Sequence, residues 1–437
     1  MSIIDRNTSM KIYLDSIGCR LNQSEIEQFG LEFRARGHEL TANPEDADLA
    51  VLNTCAVTAK ATSESRSRAR LLGEHVSQGV VLTGCWSTLK PQAAGDIPNI
   101  HSVVPNDAKD KLIRSLIPSD PIESEGGILA RSPVPGIRRR TRAFIKVQDG
   151  CDLSCTYCVT TVARGPSRSI PTQEIIKAVQ SAVRGGVKEA ILTGVHLGSW
   201  GRDLPSERSL KHLIRVILDQ TSIARLRLSS LEPWDLDEGF FSLWEDPRLC
   251  RHLHLPIQSG SDQILRRMGR RTTTTELRTL IEAARQYIPD VAITTDLIAG
   301  FPGESERCFE QSLHIIQNLS LAGGHVFPFS ERPGTPAERM DGQVPERVRK
   351  DRARLLRAGL RKSSHAFRSN LLGSQQSVLW ESIAGVSPEG FELRGWTDNY
   401  IRVQHFSPRD LSNQISPVKL ISFTMDHSMI SGELIDQ

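Results

Sequence analysis

The stretch GCDLSCTYC, residues 150–158, concentrates reactive groups, because it holds three of the eight cysteines found in 437 residues. The C-x3-C-x2-C spacing of Cys151, Cys155 and Cys158 lets three thiolates bind a metal centre from one side. Tetrahedral zinc or a fully ligated 4Fe-4S cluster needs a fourth ligand, and no cysteine follows nearby. A cluster with an open iron can bind a substrate or cofactor, so the spacing indicates a catalytic centre. A zinc loop with a remote fourth ligand and chance clustering are the alternatives.

Three other cysteines each close an apolar, β-branched run in the first hundred residues: Cys19 after KIYLDSIG, Cys55 after ADLAVLNT and Cys85 after GVVLTG. Helical segments separate the runs, one at about 24–36 and one that continues through residue 70, as in βα units around a parallel sheet. Because the loops after parallel strands share one edge, where ligands bind, these three thiols could meet in space. Buried structural cysteines are the alternative.

A second α/β series follows a stretch rich in Pro, Gly, Ser and then Arg, residues 119–142, which predicts a linker. The strand candidates of this series are RAFIKVQ, EAILTG, ARLRLSS, RHLHLPI, VAITTDLIAG and GGHVFPF, with helical patterns at 171–184 and 275–287. These six units are too few for an eight-stranded barrel, so they predict a partial one. The cysteine triplet follows its first strand directly.

The C-terminal part begins with a basic helix candidate at 345–368. Short strand-like runs then follow from about residue 374: SVLWESI, FELRGW, YIRVQHF, PVKLISF and GELI. Turn residues between them predict a small all-β module. The whole pattern predicts an α/β domain at 10–117, a linker at 118–136, a partial barrel at 137–368 and the all-β module at 374–437.

The composition is that of an ordinary globular protein, with 38% hydrophobic and 24% charged residues and a formal net charge of +3. It excludes a disordered chain and a strongly nucleic-acid-like one. The first residues lack the pattern of a secretory signal, and no segment approaches about 18 uninterrupted apolar residues. We therefore expect a cytoplasmic protein with no membrane partner, in which clustered cysteines bind metal or do redox chemistry rather than form disulfides.

The cysteine triplet after the first strand of a partial α/β barrel resembles the signature of radical S-adenosylmethionine (SAM) enzymes. Over nearly the whole chain the wider match is to the methylthiotransferases, through GCRLNQSEIE, NTCAVTAKA, GCDLSCTYCVTTVARGPSRS, LTGVHLGSWG, LSSLEPWDL, HLHLPIQSGSDQILRRMGR, TDLIAGFPGE and PFSERPGTPAERM. The resemblance implies an α/β fold: an N-terminal parallel-sheet domain, a radical-SAM partial (β/α)6 barrel and a small C-terminal all-β barrel similar to the TRAM domain.

The resemblance also implies two 4Fe-4S clusters. Cys151, Cys155 and Cys158 would hold the catalytic cluster, whose open iron binds SAM and generates a 5′-deoxyadenosyl radical. A second cluster would lie on three N-terminal cysteines that match Cys19, Cys55 and Cys85, and would present a sulfur methylated by another SAM. Two SAM molecules per product follow, with an electron donor such as a flavodoxin or ferredoxin.

Contacts to SAM and substrate are predicted at strand ends and beside the cluster loop. Where many radical-SAM enzymes have Gly-Gly-Glu, this chain has Thr193-Gly194-Val195-His196, so no carboxylate stands there. We expect SAM to contact Thr193, Gly194, Glu232, Gln258, Ser259 and Gly300, with Gly303 and Asp149 as further candidates. We expect Arg164 and the linker arginines Arg138, Arg139 and Arg140 to contact the substrate. Loop hydrogen bonds, tight turns and plain salt bridges are the alternatives.

The first cysteine motifs, GCRLNQSE and NTCAVTAKA, look most like the class that modifies N6-threonylcarbamoyladenosine 37 in the anticodon loop of tRNA. The same chemistry on N6-isopentenyladenosine 37 or on an aspartate of a ribosomal protein is the alternative, and a metal-stabilised RNA-binding protein is the non-enzymatic one. Residues 374–437 carry four Lys and Arg against eight Asp and Glu. That acidic balance departs from the usual RNA-binding TRAM surface.

Overall fold

A computed structural model describes residues 9–118, 130–136, 141–205, 209–388 and 390–435. These residues form two compact units. The first takes the described residues within Met1–Leu153, Cys158–Gly185 and Thr193–Val195, and the second those within Ser154–Tyr157, Gly186–Leu192 and His196–Gln437. Each unit combines segments that are separated in the sequence, so its limits differ from those of the predicted continuous domains. The predicted domain boundaries stay predictions. No helix in the described ranges combines the length and apolarity needed to cross a membrane.

The first unit contains the predicted N-terminal parallel sheet. Its elements are β1 Lys11–Ser16, α1 Arg20–Ala35, β2 Glu39–Thr41, β3 Leu49–Thr54, α2 Ala59–His75, β4 Val80–Gly84, α3 Cys85–Leu89, α4 Pro91–Gly95, β5 Ile100–Val104, α5 Leu112–Leu116, β6 Arg142–Lys146, β7 Gln148–Asp149, α6 Thr160–Arg164, β8 Arg168–Ser169 and α7 Thr172–Arg184. The first five strands pair in the order β2-β1-β3-β4-β5, and every pairing is parallel.

Two inner strands of this sheet, β3 and β4, are buried along their whole length, as expected for apolar runs covered on both faces. One face packs with Leu52, Leu72 and Leu82, and the other with Ile12, Ile26 and Phe33. The described part of the predicted linker, residues 130–136, also belongs to this unit. Its Arg131 pairs with Glu27 of α1 at 2.9 Å, so these residues are packed.

The second unit contains the remaining strands of the predicted partial barrel. Its elements are β9 Glu189–Thr193, whose last residue belongs to the first unit, α8 Leu210–Gln220, β10 Arg225–Leu228, α9 Glu238–Phe241, β11 His252–His254, α10 Asp262–Arg267, α11 Thr274–Tyr287, β12 Ala292–Ala299, α12 Glu306–Asn318, β13 Gly323–Pro328 and α13 Glu346–Ser369. Strand β9 pairs with β10, and β12 lies between β11 and β13, all in parallel. Single bridges join β10 to the chain around β11.

The C-terminal strands of this unit are β14 Gln375–Ser387, β15 Gly390–Thr397, β16 Arg402–Ser407, β17 Ile415–Phe423 and β18 Ile430–Leu434. They close into a barrel in the order β14-β15-β16-β18-β17, which confirms the predicted all-β module. Alternating inward residues such as Val378, Trp380 and Val403 fill its interior.

Arginines of β10 attach this C-terminal barrel to the strands before it. Arg225 donates to the backbone oxygens of Trp396 at 3.0 Å and Ser377 at 2.6 Å. Arg227 donates to the backbone oxygen of Asp398 at 2.9 Å and is held by Glu189 at 2.7 and 3.0 Å. The barrel therefore packs on the arginine side chains of β10, and backbone oxygens of the barrel accept hydrogen bonds from these arginines.

Candidate active site

Three thiols of the first unit come together at the carboxyl edge of its sheet. Cys19 follows β1, Cys55 follows β3 and Cys85 follows β4, and these strands are neighbours in the sheet. The three thiols lie close enough together that an ionised Cys85 would repel negative charge on Cys19 and Cys55. The structure thus brings together the three residues that the strand-end pattern singled out, while their role as cluster ligands stays a prediction.

Two glycines make this approach possible. Gly18 and Gly84 directly precede Cys19 and Cys85 and have φ values of 100° and 99°. A Cβ on Gly18 would lie 2.5 Å from Sγ of Cys55, and one on Gly84 would lie 2.6 Å from Oδ1 of Asn53. Only glycine combines this backbone conformation with such close neighbours. The repeated Gly-Cys pair was the available sequence signal for this arrangement.

Three converging cysteine thiols are a donor set that fits an iron–sulfur cluster. Burial raises the pKa of Cys55 to about 11, so its free thiol is protonated at neutral pH and must lose a proton to bind metal. Neighbouring protein atoms also desolvate the Cys19 thiol and raise its pKa, although part of the residue is exposed to solvent. Across the described ranges, no three His, Cys, Asp or Glu side chains are grouped for a single metal ion. A 4Fe-4S cluster binds each cysteine through a different iron and takes thiols that lie farther apart.

A buried group of charges adjoins the three thiols. Arg164 Nη1 lies 3.1 Å from Glu25 Oε1 and 2.8 Å from Asp149 Oδ1. Lys109 Nζ lies 2.8 Å from Glu25 Oε2, and Lys146 Nζ lies 3.1 Å from Asp149 Oδ2. Burial opposes the ionisation of Glu25, but Arg164 and the two lysines hold its pKa well below the usual range. Arg164 is only 3% exposed, and its guanidinium contacts the carboxylates of Glu25 and Asp149. A contact between Arg164 and the substrate stays a prediction.

The loop of the cysteine triplet carries hydrogen-bond donors for its sulfurs. In the first unit, the backbone N–H of Leu153 donates to Cys151 Sγ and that of Thr160 to Cys158 Sγ, each at 3.4 Å. In the second unit, Arg270 Nη1 lies 3.8 Å from Cys155 Sγ. Such donors stabilise thiolate sulfur and tune the potential of an iron–sulfur cluster.

The predicted SAM contacts in the first unit, Thr193 and Gly194, lie beside the start of the cysteine loop. The Thr193 carbonyl accepts from Val147 N at 2.9 Å. A Cβ on Gly194 would meet Gln148 Oε1 at 2.9 Å, so the backbone here is closely covered. Gln148 Nε2 in turn donates to the Gly150 carbonyl at 2.7 Å and fixes the entry to the loop.

The predicted SAM contacts in the second unit have structural partners. Glu232 pairs with Arg270, whose Nη1 lies 3.1 Å from Oε1. Gln258 has φ of 68°, and its N–H donates to Asp296 O at 2.8 Å. Ser259 is 1% exposed and accepts from Ser261 N at 3.2 Å, so it holds its own loop. Gly300 has φ of 72° and donates to Glu304 Oε2 at 2.8 Å in a tight turn. Contacts of these residues with SAM stay predictions.

Two histidine–carboxylate groups of the second unit were missed by the sequence analysis. His196 places Nε2 2.6 Å from Asp235 Oδ2. On adjacent strands β11, β12 and β13, His254 and His325 flank Asp296 at 3.4 and 3.3 Å. Alternation in the strings HLH and TTD was the available signal for that second group. Arg138, Arg139 and Arg140 lie outside the described residues.

Comparison with known proteins extends these observations. The profile of the radical SAM superfamily matches residues 145–316, and a profile described as uncharacterized protein family UPF0004 matches residues 11–104. A Thermotoga maritima protein named threonylcarbamoyladenosine tRNA methylthiotransferase MtaB is 33% identical, over 90% of this chain and 90% of its own. A Bacillus subtilis protein of the same name is 32% identical, over 93% of this chain and 92% of its own.

Solved structures confirm the fold. The radical SAM methyltransferase TsrM from Kitasatospora setae superposes with a TM-score of 0.55 at 15% identity, over 76% of this chain and 75% of that one. The cobalamin-dependent SAM radical enzyme OxsB superposes with a TM-score of 0.51 at 11% identity, over 82% of this chain and 58% of that one. At such identities the likeness concerns the fold alone. The two relatives, each matched over at least nine tenths of this chain, confirm the resemblance, and the chain belongs to the radical SAM methylthiotransferase family.

Proposed function

We propose that this protein transfers a methylthio group to C2 of N6-threonylcarbamoyladenosine 37 in tRNA. The names of the Thermotoga maritima and Bacillus subtilis relatives support this substrate, and the matches extend over at least 90% of each chain. The observation that carries the proposal is a second group of converging thiols in a chain that already has the radical-SAM triplet. Adding sulfur to carbon needs a sulfur source as well as a radical source.

Membership of the radical SAM superfamily implies a 4Fe-4S cluster and SAM. We assign this cluster to Cys151, Cys155 and Cys158. When bound, the cluster and SAM supply a carbon radical that removes hydrogen from the substrate. The chain itself orients the thiolates: backbone N–H groups of Leu153 and Thr160 donate to two of the sulfurs, and Arg270 lies beside the third.

We assign a second 4Fe-4S cluster to Cys19, Cys55 and Cys85, as the source of the sulfur. The close approach allowed by Gly18 and the mutual electrostatic interaction of the three thiols support this assignment. Two SAM molecules per product then follow, one for the radical and one for the methyl group. A cytoplasmic flavodoxin or ferredoxin would supply the electron.

Basic residues on α13 support an RNA substrate. Exposed cationic side chains follow one another every three or four positions along this helix: Arg347, Lys350, Arg354, Arg357 and Arg361. Two of them pair at the surface with Glu346 at 2.7 Å and Asp351 at 3.7 Å. Phosphate groups can compete for such exposed pairs because the pairs are weak in water. The acidic C-terminal barrel would then contribute contacts other than charge attraction.

Mass spectrometry of tRNA nucleosides tests the function directly. Cells without this gene should lack 2-methylthio-N6-threonylcarbamoyladenosine and accumulate the unmodified threonylcarbamoyl nucleoside. Complementation with the natural gene or with Cys308→Ala, a change outside both cysteine groups, should restore the product, whereas Cys55→Ala should not. If the product persisted while the isopentenyl derivative disappeared, the substrate assignment would be wrong. If tRNA were unchanged, the ribosomal-protein aspartate would become the substrate to examine.

A purified preparation tests the cofactors. After anaerobic reconstitution the protein should be brown and contain about eight irons per chain, because two 4Fe-4S clusters are expected. A colourless preparation that still binds tRNA would instead support the metal-stabilised RNA-binding alternative.

A further inference from the structure

Within the first unit, helix α6 lies between Cys158 of the triplet and the three N-terminal thiols. It spans Thr160–Arg164 and starts two residues after Cys158. Asn106 Nδ2 donates to the carbonyl of Ala163, in the last turn of α6, at 2.7 Å, and to Cys85 Sγ at 3.8 Å. Helix α6 therefore begins just after Cys158 and, through Asn106, is linked to the thiol of Cys85.

The last residue of α6, Arg164, makes the closest of these connections. Its Nη2 donates at 2.7 Å to Oδ1 of Asn22, the oxygen that also lies 3.7 Å from Cys19 Sγ. Its Nη1 contacts Glu25 on α1 and Asp149, which stands two residues before Cys151. One buried side chain thus holds the helix that begins after Cys19 and the strand that ends before the triplet.

The charges around Arg164 do not cancel. The buried members are the cations Arg164, Lys109 and Lys146 and the carboxylates Glu25 and Asp149, and the more exposed rim adds Arg168 at 3.9 Å and Asp110 at 3.5 Å. In the buried set alone, three cations therefore face two carboxylates, whereas the two rim charges offset each other and are screened by water. An uncompensated buried charge is costly, so this group favours an anion next to it. The thiols of Cys19, Cys55 and Cys85 interact electrostatically with Arg164 and are in place to supply that anion.

We propose that Arg164 is a positioning residue for the cluster on Cys19, Cys55 and Cys85, and that its charge raises the reduction potential of that cluster. A nearby positive charge stabilises the reduced form, which carries one more negative charge, and net charge and hydrogen bonding set cluster potentials. The inference rests on the second cluster of the proposed function and assigns to this chain the group that tunes it.

The test uses the full chain with Cys151, Cys155 and Cys158 all changed to Ala, so that only the N-terminal cluster can assemble. After anaerobic reconstitution, a redox titration followed by electron paramagnetic resonance gives its midpoint potential. Arg164→Met should lower that potential by at least about 59 mV, which corresponds to a tenfold change in the one-electron redox equilibrium constant. Glu25→Gln, which removes a negative charge without changing shape, should raise it. Arg168→Met, on the exposed rim, should leave it unchanged.

The two variants Arg164→Met and Glu25→Gln are expected to shift the potential in opposite directions, which a charge effect produces and a general disturbance of the fold does not. Equal potentials in Arg164→Met and Arg168→Met, or a shift of Glu25→Gln in the same direction as Arg164→Met, would overturn the proposal. If Arg164→Met holds no iron, Glu25→Gln decides, and an unchanged potential in that variant overturns it. A parent protein that binds no iron would contradict the second cluster itself. Failure of the proposed function is thereby distinguished from failure of the role of Arg164.

Discussion

Arg270 joins Glu232 to Cys155: its Nη1 lies 3.1 Å from Glu232 Oε1 and 3.8 Å from Cys155 Sγ. The guanidinium also donates to the carbonyl of Pro256 at 2.9 Å and lies 4.5 Å from the centre of the Trp234 ring. Burial alone would lower the pKa of Arg270, but Glu232 together with Tyr157 and Cys155 raises that pKa above its usual value. A fixed positive charge therefore stands beside one ligand position of the predicted SAM cluster.

Arg270→Met should weaken the catalytic cluster. The change removes the donor near Cys155 and leaves the Glu232 carboxylate unpaired, and loss of an outer-shell partner typically costs roughly 10–100-fold in metal affinity or activity. The rate of 5′-deoxyadenosine formation from SAM under reducing conditions measures the effect. Arg271→Met, at the exposed neighbouring position, is the matched control and should keep the parental rate. Equal rates in the two variants would exclude a role for the Arg270 contact.

The two cysteine groups should fail in different ways. Cys155→Ala should abolish SAM cleavage, with a loss greater than the roughly 10–100-fold expected for an outer-shell change. Cys55→Ala should still cleave SAM but add no methylthio group to tRNA, because it removes only the sulfur source. Chromatography of 5′-deoxyadenosine and mass spectrometry of the tRNA separate the two activities. Parallel loss of both activities in Cys55→Ala would show that the two groups do not act separately.

The ion pair between Glu189 and Arg227 should dominate the attachment of the C-terminal barrel. Both side chains are fully buried, and their atoms lie 2.7 and 3.0 Å apart. Glu189→Gln should lower the free energy of unfolding by about 3–5 kcal/mol, because it leaves the Arg227 charge buried without its partner. Urea unfolding followed by tryptophan fluorescence measures this. Asp246→Asn, which breaks a surface pair with Arg248, should cost less than about 1 kcal/mol. A similar cost for both variants would refute the assignment.

Acid should loosen the same attachment through Asp398. Burial opposes its ionisation, but two hydrogen bonds from Arg251, at 2.6 and 2.9 Å, hold its pKa below the usual range. Its folded pKa is thus lower than its unfolded pKa of about 3.9, so its contribution is complete above that pH and is lost as the pH falls further. Asp398→Asn should cost about 2 kcal/mol at pH 7 and flatten the loss of stability below about pH 4. Unfolding curves measured across the pH range test this prediction. If Asp398→Asn lost stability below about pH 4 as steeply as the parent protein, the assignment would be wrong.

Local patterns predicted the frame of the molecule well. Buried β-branched runs separated by helices specified the parallel sheet, and the rule that strand ends share an edge correctly placed Cys19, Cys55 and Cys85 together. Helix α1 begins at Arg20 rather than near Ser24, because Cys19 is already the extended residue that precedes the first turn. Helix starts depend on such single-residue geometry, which periodicity does not resolve.

The partners of the charged residues could not be predicted from the sequence. Arg164 meets Glu25 across 139 positions, and Arg227 meets the Asp398 carbonyl across 171. Such pairs depend on how whole elements pack, and a charge in a strand or a short helix is equally consistent with an exposed face. The alternating arginines of ARLRLSS identified a strand with one polar face. They gave no indication that another barrel would cover that face.

The attachment of the C-terminal barrel has an evolutionary consequence. Arg225 and Arg227 bind main-chain oxygens of residues 377, 396 and 398, and every amino acid offers such an oxygen. Substitutions on the outward side of the barrel therefore leave most of the joint intact. A lineage can remodel that surface, even to the acidic balance of this chain, while the module stays anchored. The barrel is in this sense an interchangeable module, whose outer surface can change while the joint stays constant.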